Sequence, residues 1–269
     1  SQDEYWNDFK THRLIRFGEY GNLSAIAEGA TYPTATTPAD VEETGTLAGT
    51  KRGLIETYTL EAMLDPDGQK LARFPVLLGK ALGRTVREDA IDTITTTNPT
   101  MNADSVALYD STHNNTGTTA LSAAGFATTR QAMRKQTAAG SSKRLGMTDN
   151  DPMYVMVPIE LWDRAEAYIN PDPSFQQTTN DAADTSTAGL DRRKWKHLKM
   201  VEMTHATDTN DWFMMADPNK IPTFAFARLT GVPQPELFWQ SDPDSPVMFD
   251  SDTGKIKIRF WWDIVPLDW

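Results

Sequence analysis

The sequence predicts an α+β protein with one long helix, a long coreless segment near its start and a set of strands towards its end. Three observations lead there. Apolar residues recur at spacings of three or four from Leu71 to Ile94, the period of a single helix face. Residues 255–264 alternate apolar and polar with period two, the mark of a strand with one buried face. Residues 18–52 are mostly small or polar, rich in Gly, Ala, Thr and Glu, and cannot form a core of their own.

Composition narrows the function classes. At about 150 residues per domain, 269 residues allow one large domain or two small ones. Hydrophobic residues at 39% and 8 Trp are enough for a true core and exclude a disordered chain. A net charge of −11 argues against a general nucleic-acid binder, because phosphate contact needs positive charge. With no Cys there is no disulfide, thiol nucleophile or cysteine-ligated metal. His12, His113, His197 and His205 show no metal-ligand spacing. No apolar run reaches membrane-spanning length, and no cofactor motif is present.

Taken in order, residues 1–17 read as an arm with one short helix or strand. Residues 18–52 read either as a linker or as a hairpin that finds its partners on another molecule. A strand follows over 53–62. The long helix then starts with Asp65 as N-cap and Pro66 in the first turn. Its stripe is Leu71, Phe74, Leu78, Leu82, Val86, Ala90 and Ile94, with Pro75 bending the first turns and Asn98-Pro99 ending it. At about 30 residues and 1.5 Å each, it spans about 45 Å. A second helix is expected from Ser122 to Ala139, capped by Gly140. Residues 154–157 read as a buried strand, followed by a helix carrying Ile159, Trp162, Ala165 and Ile169 on one face. Strands are expected at 198–205, 211–216 and 223–228, and residues 231–254 carry four Pro and several Asp. The last strand has Ile256, Ile258, Phe260, Trp262 and Ile264 on one face and Lys255, Lys257, Arg259, Trp261 and Asp263 on the other.

Chemistry-bearing motifs are few. There is no phosphate-binding loop, nucleophile elbow or zinc-protease helix. Asp252-Thr253-Gly254 matches the aspartic-protease tripeptide, but that chemistry needs two carboxylates sharing a proton, and one copy is present. The same residues read as a hairpin turn. Asp242, Asp244, Asp250 and Asp252 have the wrong spacing for a calcium loop. Arg192, Arg193, Lys194 and Lys196 around Trp195 form the one dense basic cluster. His113 reads as structural, since no catalytic partner can be named nearby. In the long loop Glu28, Asp40, Glu42 and Glu43 oppose Lys51 and Arg52 at its base. In an oligomer these charges can pair between subunits and set register.

The order of parts resembles the Hong Kong 97-type major capsid protein of tailed bacteriophages, most nearly the Mu-like prophage major head subunits. The residues that carry the resemblance are Leu77 to Arg84 through Glu88-Asp89, Asp104 to Tyr109 with His113-Asn114, Ala120-Leu121-Ser122, Ala132-Met133 with Gln136, Val157-Pro158, Leu161-Trp162 and Phe260 to Asp263. The resemblance implies an N-terminal arm over 1–17 and an extended E-loop over 18–60. It implies a peripheral domain over 61–150 with a spine helix at 65–97, an axial domain over 151–230, and return strands over 231–269. Glu28, Tyr32, Asp40, Glu42, Glu43, Lys51 and Arg52 would then touch neighbouring subunits. Arg84, Arg87, Arg192, Arg193, Lys194 and Lys196 would touch nucleic acid or other subunits. The scaffold-like segment of many such proteins does not precede Ser1, which agrees with maturation cleavage there or with no such segment.

The implied function is a shell subunit with no catalytic role, cofactor or membrane contact. It would form pentamers and hexamers that close an icosahedral head around double-stranded DNA. A portal, a scaffold and a decoration protein are possible partners, with weak contact to the packaged DNA. Its place would be the virion capsid, assembled in the bacterial host cytoplasm. The alternatives are a carboxylate-dependent hydrolase using Asp250 and Asp252, and a non-viral shell compartment of the same fold.

Overall fold

Strand β10 (Thr253–Pro266) organises the larger half of the molecule. The computed structural model describes residues 2–8, 10–17, 23, 25–32, 34, 41–47, 49–64, 69–102, 104–137, 144–148, 151–169 and 197–269. On one edge of β10 lies β4 (Thr50–Thr59), antiparallel over ten residue pairs from Thr253 opposite Thr59 to Trp262 opposite Thr50. On the other edge lie β9 (Glu236–Gln240), against Lys255–Arg259, and then β8 (Phe224–Leu229), against Trp262–Pro266. Strand β1 (Gln2–Trp6) extends the sheet parallel to β8. The five strands form one sheet.

The expected alternation holds in β10 as far as Phe260, where Ile256, Ile258 and Phe260 are buried. Helix α2 (Gln69–Asp92) covers this face, with Leu78 against Ile256 and Ile258 and with Phe74 and Leu82 beside them. Beyond Phe260 both faces are covered. Trp261 and Val265 join Trp6, Ala225, Ala227 and Leu229 in a second cluster on the opposite face, with Leu14 packed against it. Ile264 packs with Met101, Leu108 and Phe224.

Helix α2 has 24 residues and runs through Pro75 without interruption. Its regular part ends at Asp92, short of the expected end at residue 97. Thr93–Thr97 form a single wider π-helical turn. The Thr93 and Thr95 hydroxyls donate back to the carbonyls of Asp89 and Ile91, competing with the helical ladder. Asn98 then stops the helix as expected, in the left-handed conformation, and its side chain bonds both the N–H and the carbonyl of Tyr109. The proposed start at Asp65-Pro66 lies outside the described residues.

A second body carries the sheet order β6-β5-β7, from Leu198–Met203, Met153–Pro158 and Phe213–Ala216. Helix α3 (Ala123–Lys135) and helix α4 (Trp162–Ile169) close its core around Phe126, Val155, Val157, Ala165 and Ile169. Ser122 caps α3 by accepting from the N–H of Gly125. Helix α3 ends at Lys135 rather than Ala139, because the chain turns extended at Gln136 and Thr137 bridges Arg144. The expected Gly140 cap lies outside the described residues.

Lys220 ties this body's loops together, with Nζ 2.7 Å from Asp151 Oδ2. That hydrogen bond, with one from the N–H of Thr148, holds the Asp151 carboxyl at about 2, below its ordinary 3.8. A depressed carboxyl adds stability above its unfolded value and loses it as pH falls through its folded value. Asp151→Asn therefore lowers Tm near pH 6, and the gap from the parent closes between about pH 4 and pH 2. A gap that stays constant through acid in a thermal scan would refute this.

Residues 231–254, rich in Pro and Asp, contain β9 and helix α5 (Pro246–Ser251). Ser245 caps α5 with Pro246 in its first turn, a start signal that composition had hidden. Asp252 is the left-handed C-cap of α5, so Asp252-Thr253-Gly254 leads from helix to strand and is not a hairpin turn. Gly254 is required there, since a Cβ would fall 2.4 Å from the Tyr58 ring. The strand expected over 53–62 instead spans Thr50–Thr59 and gives way to helix α1 (Leu60–Leu64).

Candidate assembly surfaces

Two strands leave the large sheet as a separate ribbon. Strand β2 (His12–Phe17) pairs antiparallel with β3 (Val41–Leu47), with an irregularity between Leu14 and Ile15. Two residues after β3, β4 begins and enters the sheet. The arm thus supplies one strand of the ribbon, and the hairpin expected within 18–60 alone is shared with residues 12–17. Leu14 anchors the ribbon's base against the Trp6 cluster. In the connecting segment a turn at Glu28-Gly29 carries the N–H of Ala30 to the carbonyl of Ala27. Leu23 is 99% exposed and Tyr32 81%.

The residues expected to touch neighbours separate into groups. Glu28, Tyr32 and Lys51 are exposed. Glu42 and Glu43 lie in β3, in register with Arg16 and Ile15. Asp40 lies outside the described residues. Arg52 is engaged within its own chain. Its guanidinium is 2.9 Å from Asp89 Oδ2 and lies over the Trp262 ring, and the Trp262 indole N–H donates to the same carboxylate oxygen. Arg84 and Arg87 are exposed on α2, with Arg84 3.6 Å from Glu88. Arg73, Lys80, Arg84 and Arg87 follow at spacings of seven, four and three, which puts them along one exposed stripe. Arg192, Arg193, Lys194 and Lys196 lie outside the described residues.

Sequence reasoning passed over one surface. The register puts Lys51, Ile55, Phe238, Lys255, Lys257 and Arg259 on the sheet face turned away from α2. Ile55 is 55% exposed and Phe238 39%. Lys257 and Arg259 lie over the Phe238 ring, and Arg259 Nε is 2.6 Å from Glu236. The period-two pattern of β10 already held Lys255, Lys257 and Arg259 on one side. The missing half of the signal was β9, which brings Phe238 between them.

The alternative catalytic residues do not assemble. Asp250 and Asp252 are exposed, Asp250 in α5 and Asp252 as its cap. Among the described residues, no three His, Asp or Glu side chains come together as a metal site. A cleft of about 460 Å³ lies between α3, β7 and the 108–119 loop. Its titratable lining groups are Tyr109 and Asp211, remote in sequence from Asp250 and Asp252, and burial pushes the Tyr109 phenol up. His113 is buried and structural in its contacts. Its Nδ1 faces the Leu108 carbonyl, its Nε2 faces Asp104 at 2.7 Å, and its ring stacks on Trp269. No helix among the described residues is long and apolar enough to cross a membrane.

A family model described as phage capsid protein matches residues 42–269. A comparison with curated proteins gives no match. Among solved structures, one from Microbacterium phage Oxtober96 is similar at 13% identity with a TM-score of 0.55, covering 99% of this chain and 83% of that one. The capsid of cyanophage P-SCSP1u is similar at 12% identity with a TM-score of 0.56 over the same shares. The capsid of a native GTA particle is similar at 10% identity with a TM-score of 0.55, covering 100% and 84%. These likenesses establish the Hong Kong 97-type capsid fold.

Proposed function

The chain belongs to the phage capsid protein family, and from that premise we propose that it is the head subunit of a Mu-like tailed phage, forming pentamers and hexamers around double-stranded DNA. The observation that carries the reading is the β2–β3 ribbon. It pairs apart from the five-stranded sheet, and the segment joining its strands presents Leu23 and Tyr32, both strongly exposed. Exposed apolar side chains on a protruding segment mark a contact surface. A contact between two different surfaces of one protein, repeated around an axis, closes rings.

In this reading residues 1–17 are the arm, 18–60 the E-loop, 61–150 and 231–269 the peripheral domain, and 151–230 the axial domain. Glu28, Tyr32, Glu42, Glu43 and Lys51 meet a neighbouring subunit. Arg52 acts differently, bracing the root of the loop on α2. The stripe of Arg73, Lys80, Arg84 and Arg87 faces the genome, and four cations on one helix suit weak, salt-sensitive phosphate contact. The subunit itself is not an enzyme. It assembles in the host cytoplasm with a portal, a scaffold and a decoration protein as partners.

Negative-stain electron microscopy of the purified chain, with its mass in solution, tests this. Closed shells or rings of five and six are expected. A persistent 30.0 kDa monomer across salts and crowding agents overturns the reading.

A further inference from the structure

We propose that the open sheet face receives the acidic end of the same sheet from a second copy, head to tail. This rests on the capsid reading and adds a specific contact to it.

On the receiving face Lys255, Lys257 and Arg259 run down β10, with Ile55 and Phe238 on either side of Lys257, Lys51 further along β4, and Glu236 opposite Arg259. The inserting end is where α1 and α5 flank the last pair of the β4–β10 ladder. The N–H of Leu60 donates to the carbonyl of Asp252 there. Asp242, Asp244, Asp250, Asp252 and Glu61 are all exposed at this end. Residues 60–64 and 241–254 contain no Lys or Arg. Among these acids stand Phe249, 84% exposed, and Leu64, 75% exposed. Each surface therefore sets apolar groups beside charge, mainly basic on the sheet face and acidic at the end, and the two net signs are opposite. Exposed apolar groups beside complementary charge suit a contact between two protein surfaces.

Charge also selects the partner. Two receiving faces repel each other, and so do two acidic ends, so a symmetric pairing of either with itself is disfavoured. Apolar burial supplies the affinity, while exposed ion pairs add little and set register. A nucleic-acid strand fits this face less well. Arg259 is already paired with Glu236, Lys257 and Arg259 lie over Phe238, and a phosphate backbone would leave Ile55 and Phe238 uncovered.

The absence of cysteine allows a clean test. A tagged Ile55→Cys copy and an untagged Phe249→Cys copy are co-assembled, oxidised, and resolved on a non-reducing gel. Both positions are exposed, so neither change disturbs the core. Phe238→Cys with Leu64→Cys gives an independent pair. The expected result is a mixed tagged–untagged disulfide dimer in assembled particles. Its yield drops at least severalfold when Lys255→Glu and Lys257→Glu are added to the tagged copy. Normal particles with no mixed dimer from either pair overturn the contact and leave the capsid reading standing. So do particles in which Phe249→Cys pairs chiefly with itself. An unchanged crosslink yield with loss of retained nucleic acid in the Lys→Glu copy reassigns the face to a polyanion and also overturns it. Failure of the parent chain to assemble overturns the capsid reading and this inference together.

Discussion

A chain lacking residues 24–48 stays folded and forms no particles. The deletion removes β3 and most of the segment that joins it to β2, Tyr32 included, but no strand of the five-stranded sheet. The ten-pair ladder of β4 on β10 remains, as do the clusters around Phe126 and around Ile256. What is lost includes Tyr32, 81% exposed, and the strand that pairs with β2. Light scattering and microscopy should show loss of assembly, while the thermal midpoint moves by a few degrees. Particles from the shortened chain would show that the ribbon is dispensable. Global unfolding would show that it is part of the core.

Trp262→Ala lowers stability by about 3–5 kcal/mol, the cost of replacing a large buried aromatic by Ala. Trp262 is 1% exposed and sits where β10 passes from its β4 partner to its β8 partner. Its ring supports the Arg52 guanidinium, and its N–H satisfies Asp89. Truncation leaves a cavity and takes one donor from a carboxylate under the helix. Arg52→Ala, by contrast, removes a partly exposed ion pair and a cation–π contact, each worth about 1 kcal/mol or less at such sites. Urea unfolding of both variants separates them. Comparable losses would mean that the electrostatic contacts, and not the packed ring, hold α2 to the sheet.

How far the residues foretold this structure depends on how local the information was. The stripe from Leu71 to Ile94 and the alternation of 255–260 are local patterns, and a helix over Gln69–Asp92 and a strand over Thr253–Pro266 follow them. The fate of Arg52 was not local. Asp89 lies 37 positions away, so Arg52 looked like a free charge at the foot of a loop. Strand β2 finds its partner across residues 18–40, and no feature of either strand alone announces that pairing. The shift in β10 at Trp261 arises because β8 and β1 add a second layer of contacts, a tertiary fact absent from period two. Strand β9 and helix α5 were hidden by prolines and aspartates that look like loop. The site was legible in the same uneven way: the acidic and basic clusters were visible, but which aromatic stood among them was not.

The short passage from β3 into β4 has a mechanical meaning. A pull on the ribbon travels along the axis of β4, which lies antiparallel to β10 over ten pairs. The load is then borne in shear, with every rung strained at once, rather than opened one rung at a time as in a zipper. A tether built this way fails late and all together. In a pressurised container, the joint between neighbours would give before the wall panels tear.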